Sequence, residues 1–184
     1  MTESAATDAQ RRGVNWPAVL PWIRTVIRVG LAAVWIVAAV PKILDPSQSV
    51  NAVAAYELFP QSLNQLIGWA LPFFELLLGL VLLAGVFTRW AALASGLLQL
   101  AFIAGLLSAW SRGLSIDCGC FSAGGQVAAE DVTYGQSLVR DIAFTLAAAW
   151  LVWQPFTRLS ADQALGLNET TGPDAGVTDD EESA

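Results

Sequence analysis

The sequence predicts an all-α integral membrane protein, a four-helix bundle whose two termini lie in the cytoplasm. Of its 184 residues, 55% are hydrophobic and only 14% are charged, and the mean hydropathy is +0.54. Soluble domains carry about 25% charged residues. The excess apolar residues are concentrated in runs close to the length of about 20 residues that crosses a bilayer core of about 30 Å.

Four membrane spans are predicted, at about residues 23–43, 66–87, 90–110 and 138–154. The second and third runs are long enough alone. The first reaches full length if Arg24 and Arg28 extend their head groups to the interface, and the fourth if Ser137–Asp141 forms its first turn. Pro41 is expected to end or kink the first span, because proline has no N–H to donate.

The distribution of lysine and arginine predicts the orientation. With four spans, one side holds six basic residues and the other holds three: Arg11, Arg12, Arg24, Arg28, Arg89 and Arg158 against Lys42, Arg112 and Arg140. Because cytoplasmic loops carry the excess of these residues, both termini are expected in the cytoplasm. The predicted location is the cytoplasmic membrane, with the chain crossing the lipid bilayer several times.

The chain divides into three parts. Residues 1–21 form a polar N-terminal tail and interfacial segment, and residues 22–156 form the four-span membrane domain. Residues 157–184 carry seven acids and one base, a composition typical of a disordered acidic tail, although a partner-docking motif is also open. Asn51–Phe59 could form an amphipathic surface helix between the first two spans.

Composition also bears on ligands. With no histidine and two cysteines, the chain lacks the donors for a self-contained zinc, haem or non-haem iron site, so no metal is expected. A net charge of −7 disfavours a nucleic-acid partner.

The two cysteines, Cys118 and Cys120, lie on either side of Gly119 in the loop after the third span. Outside the cytoplasm, thiols are oxidised unless they are actively reduced. Gly119 supplies the backbone freedom that a very small disulfide ring needs. Such a ring stabilises little, because disulfide stabilisation grows with loop length, whereas strained or exposed disulfides exchange readily. The pair is therefore predicted to be catalytic in thiol–disulfide exchange.

Neighbouring charges bear on that chemistry. Asp117 beside Cys118 disfavours a thiolate, so activation must come from Arg112, Arg140 or a helix end. Arg140 and Asp141 are adjacent in sequence, so each is expected to find a different partner. Two other readings of the cysteines stay open: inert buried thiols, and a two-thiolate metal site shared across a dimer.

Polar residues inside the predicted spans form a second group of candidates. Glu75, near the middle of the second span, should face the bundle, be protonated or have a partner, because an unpaired carboxylate is costly there. Lys42, at the end of the first span, is the other intramembrane charge. Glu75 is either a proton or quinone site or a structural hydrogen-bonding group, and a quinone would be sought near Glu75 and Trp69. Gln99 predicts an interhelical hydrogen bond.

Together these elements resemble the DoxX-like membrane proteins, specifically the branch of the methylamine-utilisation protein MauE. The resemblance covers roughly residues 24–154. Its most specific part is Cys118–Phe121, preceded by Asp117; Lys42–Pro46 and Pro72–Glu75 are shared with DoxX proteins at large. It implies a four-helix inner-membrane protein, implicated in the maturation of periplasmic enzymes with many disulfides and often paired with a thioredoxin-like partner.

The predicted function is thus redox-associated. The chain would act as a thiol–disulfide oxidoreductase toward an extracytoplasmic thioredoxin-like or client protein, with a quinone as the one cofactor left open. The alternative is a non-catalytic accessory subunit of a respiratory or other membrane complex. A small-molecule transporter is weaker, because the sequence has no inverted repeat.

Overall fold

The computed structural model describes residues 16–117, 124–128 and 133–153, and most of these residues are helical. The acidic tail predicted at residues 157–184 lies outside them. In chain order the described elements are α1 (Trp16–Leu44), α2 (Pro46–Ala55), α3 (Gln61–Ala84), α4 (Thr88–Ser111), β1 (Ile116–Asp117), β2 (Gly125–Gln126) and α5 (Tyr134–Trp153).

Three of the described helices are long and apolar enough to cross a membrane. They comprise 26 residues of α1 from Val19 to Leu44, and the whole of α3 and of α4, at 24 residues each. They overlap the first three predicted spans, and the chain is accordingly a multi-pass membrane protein. The 20-residue helix α5 covers most of the fourth predicted span but is not among the three; its first two turns carry the charges Arg140 and Asp141.

The ends of α3 differ from the predicted 66–87 because of local backbone chemistry. Gly85 adopts the left-handed conformation, with φ of 67°. The N–H groups of Gly85 and Val86 donate to the carbonyls of Leu82 and Val81, at 3.1 and 3.3 Å. This is the Schellman arrangement that ends a helix at a glycine. The apolar run continues through Phe87, but the helix does not.

The predicted surface helix at Asn51–Phe59 is shifted toward the N-terminus and forms α2. Asp45 caps it, accepting a hydrogen bond from the N–H of Ser47 at 3.2 Å, and Pro46 occupies the first helical position, where a missing N–H costs nothing. Hydrogen bonds from the side chains of Ser47 and then Gln48 lower the pKa of Asp45. The helix ends before Glu57, which has a positive φ of 52°.

Helix α3 packs antiparallel to α1 with its C-terminal half and against α2 with its N-terminal half. A Cβ added to Gly79 would lie 2.7 Å from Cγ1 of Ile36, and one added to Gly68 would lie 2.6 Å from Cα of Val50. Such close approach is possible only without a side chain. The second extensive helix pair is α4 with α5. The main apolar cluster lies among these four long helices and comprises Leu31, Ala32, Trp35, Leu78, Leu82, Ala91, Ala92, Ala148 and Leu151.

Pro41 does not end α1, which continues to Leu44. Arg28 does not extend to the interface as predicted: it is 2% exposed, and its Nη1 donates to the carbonyl of Leu82 at 3.1 Å. That carbonyl belongs to the last turn of α3, where a cation is favoured by the helix dipole. Arg28 therefore joins α1 to the end of α3.

The other end of the helices carries the short strands and is called the hairpin end below. There α1 and α4 finish, α3 and α5 begin, and α2 lies against α3. Arg112, just after α4, donates to the carbonyl of Tyr56, and Trp110 stacks on Tyr134 with ring centroids 5.9 Å apart. These contacts hold the connecting segments against the long helices.

Gly68→Ala should lower the free energy of unfolding by roughly 1–3 kcal/mol, as overpacking does in cores. The new Cβ would meet backbone atoms of Val50, with Cα at 2.6 Å and N at 2.8 Å, so α2 must move away from α3. The measurement is unfolding in mixed detergent micelles. Gly30→Ala is the matched control, because its Cβ would have no neighbour within 4 Å. Equal stability of the two variants would contradict the close contact.

Candidate functional site

Two short strands precede and follow the segment that contains the cysteines. They pair antiparallel, with Ile116 opposite Gln126 and Asp117 opposite Gly125. Cys118 directly follows β1 in the sequence, and residues 118–124 join the two strands. The sequence analysis expected only a loop here, because two-residue strands are too short to produce an alternating pattern.

Tyr134 anchors the base of this hairpin. Its hydroxyl donates to the carbonyl of Leu114 and accepts from the N–H of Ile116 at 3.3 Å. The N–H of Val127 also donates to the carbonyl of Ser115, at 3.0 Å. The surrounding apolar cluster is buried and comprises Ala55, Leu106, Ala109, Ile116 and Tyr134. The strands are therefore held against α2, α4 and α5.

The predicted exchange pair, Cys118 and Cys120, and the spacer Gly119 lie outside the described residues. Their chemistry stays a prediction. Asp117 is described: it is half-buried and ends β1.

Arg140 and Asp141 pair with each other, a contact that the sequence analysis did not predict. Nε and Nη2 of Arg140 both lie 3.1 Å from Oδ1 of Asp141. Neighbouring residues on a helix point about 100° apart, but the arginine side chain is long enough to turn back. Asp141 is 1% exposed, so the guanidinium supplies charge compensation inside the helix assembly.

Lys42 and Glu75, both predicted as intramembrane polar residues, form a buried ion pair. Nζ of Lys42 lies 2.9 Å from Oε1 and 3.0 Å from Oε2 of Glu75. The two residues are 7% and 1% exposed. Because α1 and α3 run antiparallel, the end of one meets the interior of the other, and the sequence separation of 33 residues concealed this partner. The lysine neutralises the carboxylate that hydrocarbon would otherwise disfavour.

A small cavity lies beside both ion pairs. Its volume is about 10 Å³, and its lining includes Glu75 from α3, Gln99 from α4 and Asp141 from α5. Gln99 is 4% exposed, and among the residues described it makes no interhelical hydrogen bond, contrary to its prediction. Three of the polar residues singled out in the sequence, Glu75, Gln99 and Asp141, therefore line the same cavity.

Trp69 is not among the residues that line this cavity. It is 56% exposed on the outer surface of α3, whereas Glu75 faces the interior; six residues apart, the two lie on different helix faces. They do not line the common groove in which a quinone was expected. Within the described ranges, no three acidic or thiol side chains come together as metal ligands would.

The family model of the methylamine utilisation protein MauE matches residues 20–154. The chain belongs to the MauE family. The match covers all the described membrane helices except the first turn of α1, and it includes the Cys-Gly-Cys segment. Searches of curated proteins and of solved structures found no match. The similarity of this MauE-family chain to DoxX proteins remains a resemblance.

Lys42→Met should destabilise the folded protein by about 3–5 kcal/mol, because it leaves the buried Glu75 carboxylate without its cation. Adding Glu75→Met to Lys42→Met should recover most of that loss, since the uncompensated charge is gone. Both are measured as unfolding free energies in mixed micelles. Losses that simply add in the double variant would show that the two side chains do not interact in the folded state.

Tyr134→Phe should loosen the hairpin, because two hydrogen bonds to its base are lost, each with a net contribution of about 0.5–1.5 kcal/mol. The expected result is faster amide hydrogen exchange at Ile116 and Gln126. Gln136→Ala, on the exposed side of the same helix turn, is the matched control and should leave exchange unchanged. Equal exchange in wild type and Tyr134→Phe would contradict the anchoring role.

Proposed function

We propose that this chain exchanges thiol and disulfide equivalents, through Cys118 and Cys120, with an extracytoplasmic thioredoxin-like or client protein. Its role would be the MauE-like maturation of disulfide-containing enzymes. The observation that carries the proposal is the anchored hairpin: its first strand leads directly into the Cys-Gly-Cys segment.

The anchoring supports this role physically. A fixed base limits where residues 118–124 can reach, and functional segments commonly extend from such rigid supports. Cys-Gly-Cys closes too small a ring to stabilise the fold appreciably, because the entropic gain of a disulfide falls with loop length. A purely structural disulfide therefore explains the presence of two cysteines at this position poorly. A role in thiol–disulfide exchange explains it better.

The proposed topology is a four-helix bundle with four spans, both termini in the cytoplasm and the hairpin end outside. The 20 residues of α5 reach about 30 Å as a helix, which matches a bilayer core of about 30 Å. The six-to-three bias of lysine and arginine supports the orientation. An outward hairpin would keep the cysteines where disulfides persist, and the compartment would be the cytoplasmic membrane.

The exchange proceeds in two balanced steps. A thiolate of the pair attacks one sulfur of the partner disulfide, which forms a mixed disulfide and releases the other partner sulfur as a thiolate. The second cysteine then loses its proton and attacks the mixed disulfide. The partner leaves as a dithiol, and Cys118–Cys120 becomes the disulfide. The reverse sequence oxidises the partner, and a membrane quinone is one proposed acceptor for recycling the pair.

The second candidate is an accessory subunit of a membrane complex. A groove of about 210 Å³ opens between α4 and α5, and several of its lining residues are small: Ala92, Gly96, Thr145 and Ala149. Small residues allow a helix of another protein to approach closely within a membrane. In this case, the cysteines would not take part in electron transfer.

Single cysteine variants distinguish the two functions. In nanodiscs, the oxidised wild type should convert reduced thioredoxin to its disulfide, because a strained disulfide is the stronger oxidant. Neither Cys118→Ser nor Cys120→Ser can form the internal disulfide, so both should leave thioredoxin reduced. The readout is a non-reducing gel, and Ser122→Ala in the same segment is the control that should behave as wild type.

The double variant Cys118→Ser with Cys120→Ser should form no adduct and oxidise or reduce no partner. If it still supports full disulfide formation in a client enzyme in cells, and still co-purifies with a membrane complex, the exchange proposal fails and the accessory role is favoured.

A further inference from the structure

A groove runs along the lipid-facing side of the α4–α5 pair. Helix α4 lines it from Ala92 to Leu100, and α5 lines it from Thr145 to Trp153. Two of its α4 residues, Leu97 and Leu100, are 60% and 50% exposed. Because α4 and α5 run antiparallel, Ala92 and Trp153 lie at the same end, opposite the hairpin end. The groove therefore extends from one surface of the membrane toward the middle of the bilayer.

The groove has the size and polarity of a hydrocarbon chain. Each wall covers about 12 Å of helix axis. Spread over that length, its volume of about 210 Å³ corresponds to a channel roughly 4–5 Å wide, whereas a helix with its side chains is about 10–12 Å across. Thr145 is the one polar residue of the lining, and its Oγ1 donates to the carbonyl of Asp141 at 2.8 Å. An occupant therefore meets apolar atoms along the whole groove and needs no hydrogen bond there.

Arg89 extends the α4 wall of the groove toward the membrane surface. Successive residues of a helix are turned by about 100°, so every α4 residue that lines the groove lies within about 80° of Arg89 around the helix axis. Arg89 is exposed. Neither α4 nor the part of α5 after Asp141 contains an acidic residue. The mouth of the groove is therefore positively charged, and the N-terminus of α4 adds to that charge through the helix dipole.

Exposed tryptophans place this mouth at the depth of lipid head groups. Trp90 of α4 is 68% exposed and Trp153 of α5 is 85% exposed, and both lie at the end of the groove where Arg89 is. Tryptophan is enriched at the boundary between hydrocarbon and water. An apolar groove that ends beside a cation at this depth matches a phospholipid, whose acyl chain and phosphate follow in the same order from the bilayer centre outward.

We propose that this groove binds one phospholipid with an anionic head group, whose acyl chain lies between α4 and α5 and whose phosphate contacts Arg89. A planar guanidinium suits a phosphate because it can donate two parallel hydrogen bonds. A zwitterionic phospholipid carries the same phosphate together with a compensating cation, so it is held less tightly. The proposed orientation places the site in the cytoplasmic leaflet, whose anionic lipids supply such head groups.

Native mass spectrometry of the full chain tests the lipid. The protein is released from detergent micelles that contain phosphatidylglycerol or phosphatidylcholine with the same acyl chains. The expected result is one phosphatidylglycerol per chain, bound at least about fivefold more tightly than phosphatidylcholine, which is the effect of one basic residue on an anionic lipid. Equal retention of the two lipids, or retention of neither, would overturn the proposal.

Ala149→Phe tests the position of the acyl chain, because Ala149 is exposed and lines the groove. The ring should fill the groove and lower phosphatidylglycerol binding by about tenfold or more, since each buried methylene contributes to lipid binding. Ala143→Phe, at an exposed position on another face of the same helix, is the matched control and should bind lipid as the wild type does. A wild-type dimer that carries no lipid and that Ala149→Phe dissociates would overturn the proposal in favour of a second copy at the groove.

Arg89→Gln tests the head group. It should lower the affinity for phosphatidylglycerol by about fivefold and that for phosphatidylcholine by less, whereas Arg89→Lys should retain most of the preference. An unchanged preference in Arg89→Gln would contradict the phosphate contact. Micelles have no sidedness, so these results do not depend on the proposed orientation. The variant with both cysteines replaced by serine should bind the lipid normally, which separates this site from thiol exchange.

Discussion

Pairing of charge inside the membrane is the constraint on which the rest of this structure depends. Glu75 lies inside a membrane-spanning helix and Lys42 near the end of another, and their ion pair at 2.9 and 3.0 Å sets the register of α1 against α3. Either charge alone would be costly in hydrocarbon. Continuation of α1 past Pro41 brings Lys42 to this position, and the absence of a side chain at Gly79 lets the two helices approach closely enough to form it.

That register also determines what lies at the hairpin end. With α1 ending at Leu44 opposite the interior of α3, the remaining half of α3 is covered by α2, which begins at Pro46 directly after the capping residue Asp45. The short strands pack beside α2 and are held by Tyr134 at the start of α5. The segment proposed to carry electrons therefore extends from a base attached to several helices. The role of that segment is a proposal, and this anchoring is the structural ground for it.

The sequence predicted the apolar spans well, because hydropathy reports directly on which helices can lie in lipid. It predicted their ends less well, since Gly85 and Asp45 act through local backbone geometry rather than through hydropathy. It identified Glu75, Lys42, Asp141 and Gln99 as significant polar residues. Their mutual arrangement could not be predicted, because contacts between residues 33 apart depend on helix register. The chemistry predicted for Cys118 and Cys120 rests on sequence and family.

The most direct test of the central claim is thiol trapping in intact cells with a maleimide that cannot cross the membrane, with and without prior mild reduction. The account predicts labelling of Cys118 and Cys120 only after reduction, because the pair is outward-facing and forms a labile disulfide. If the impermeant reagent fails after reduction while a permeant one succeeds, the cysteines do not face outward. The proposed topology and the proposed exchange would then both be contradicted.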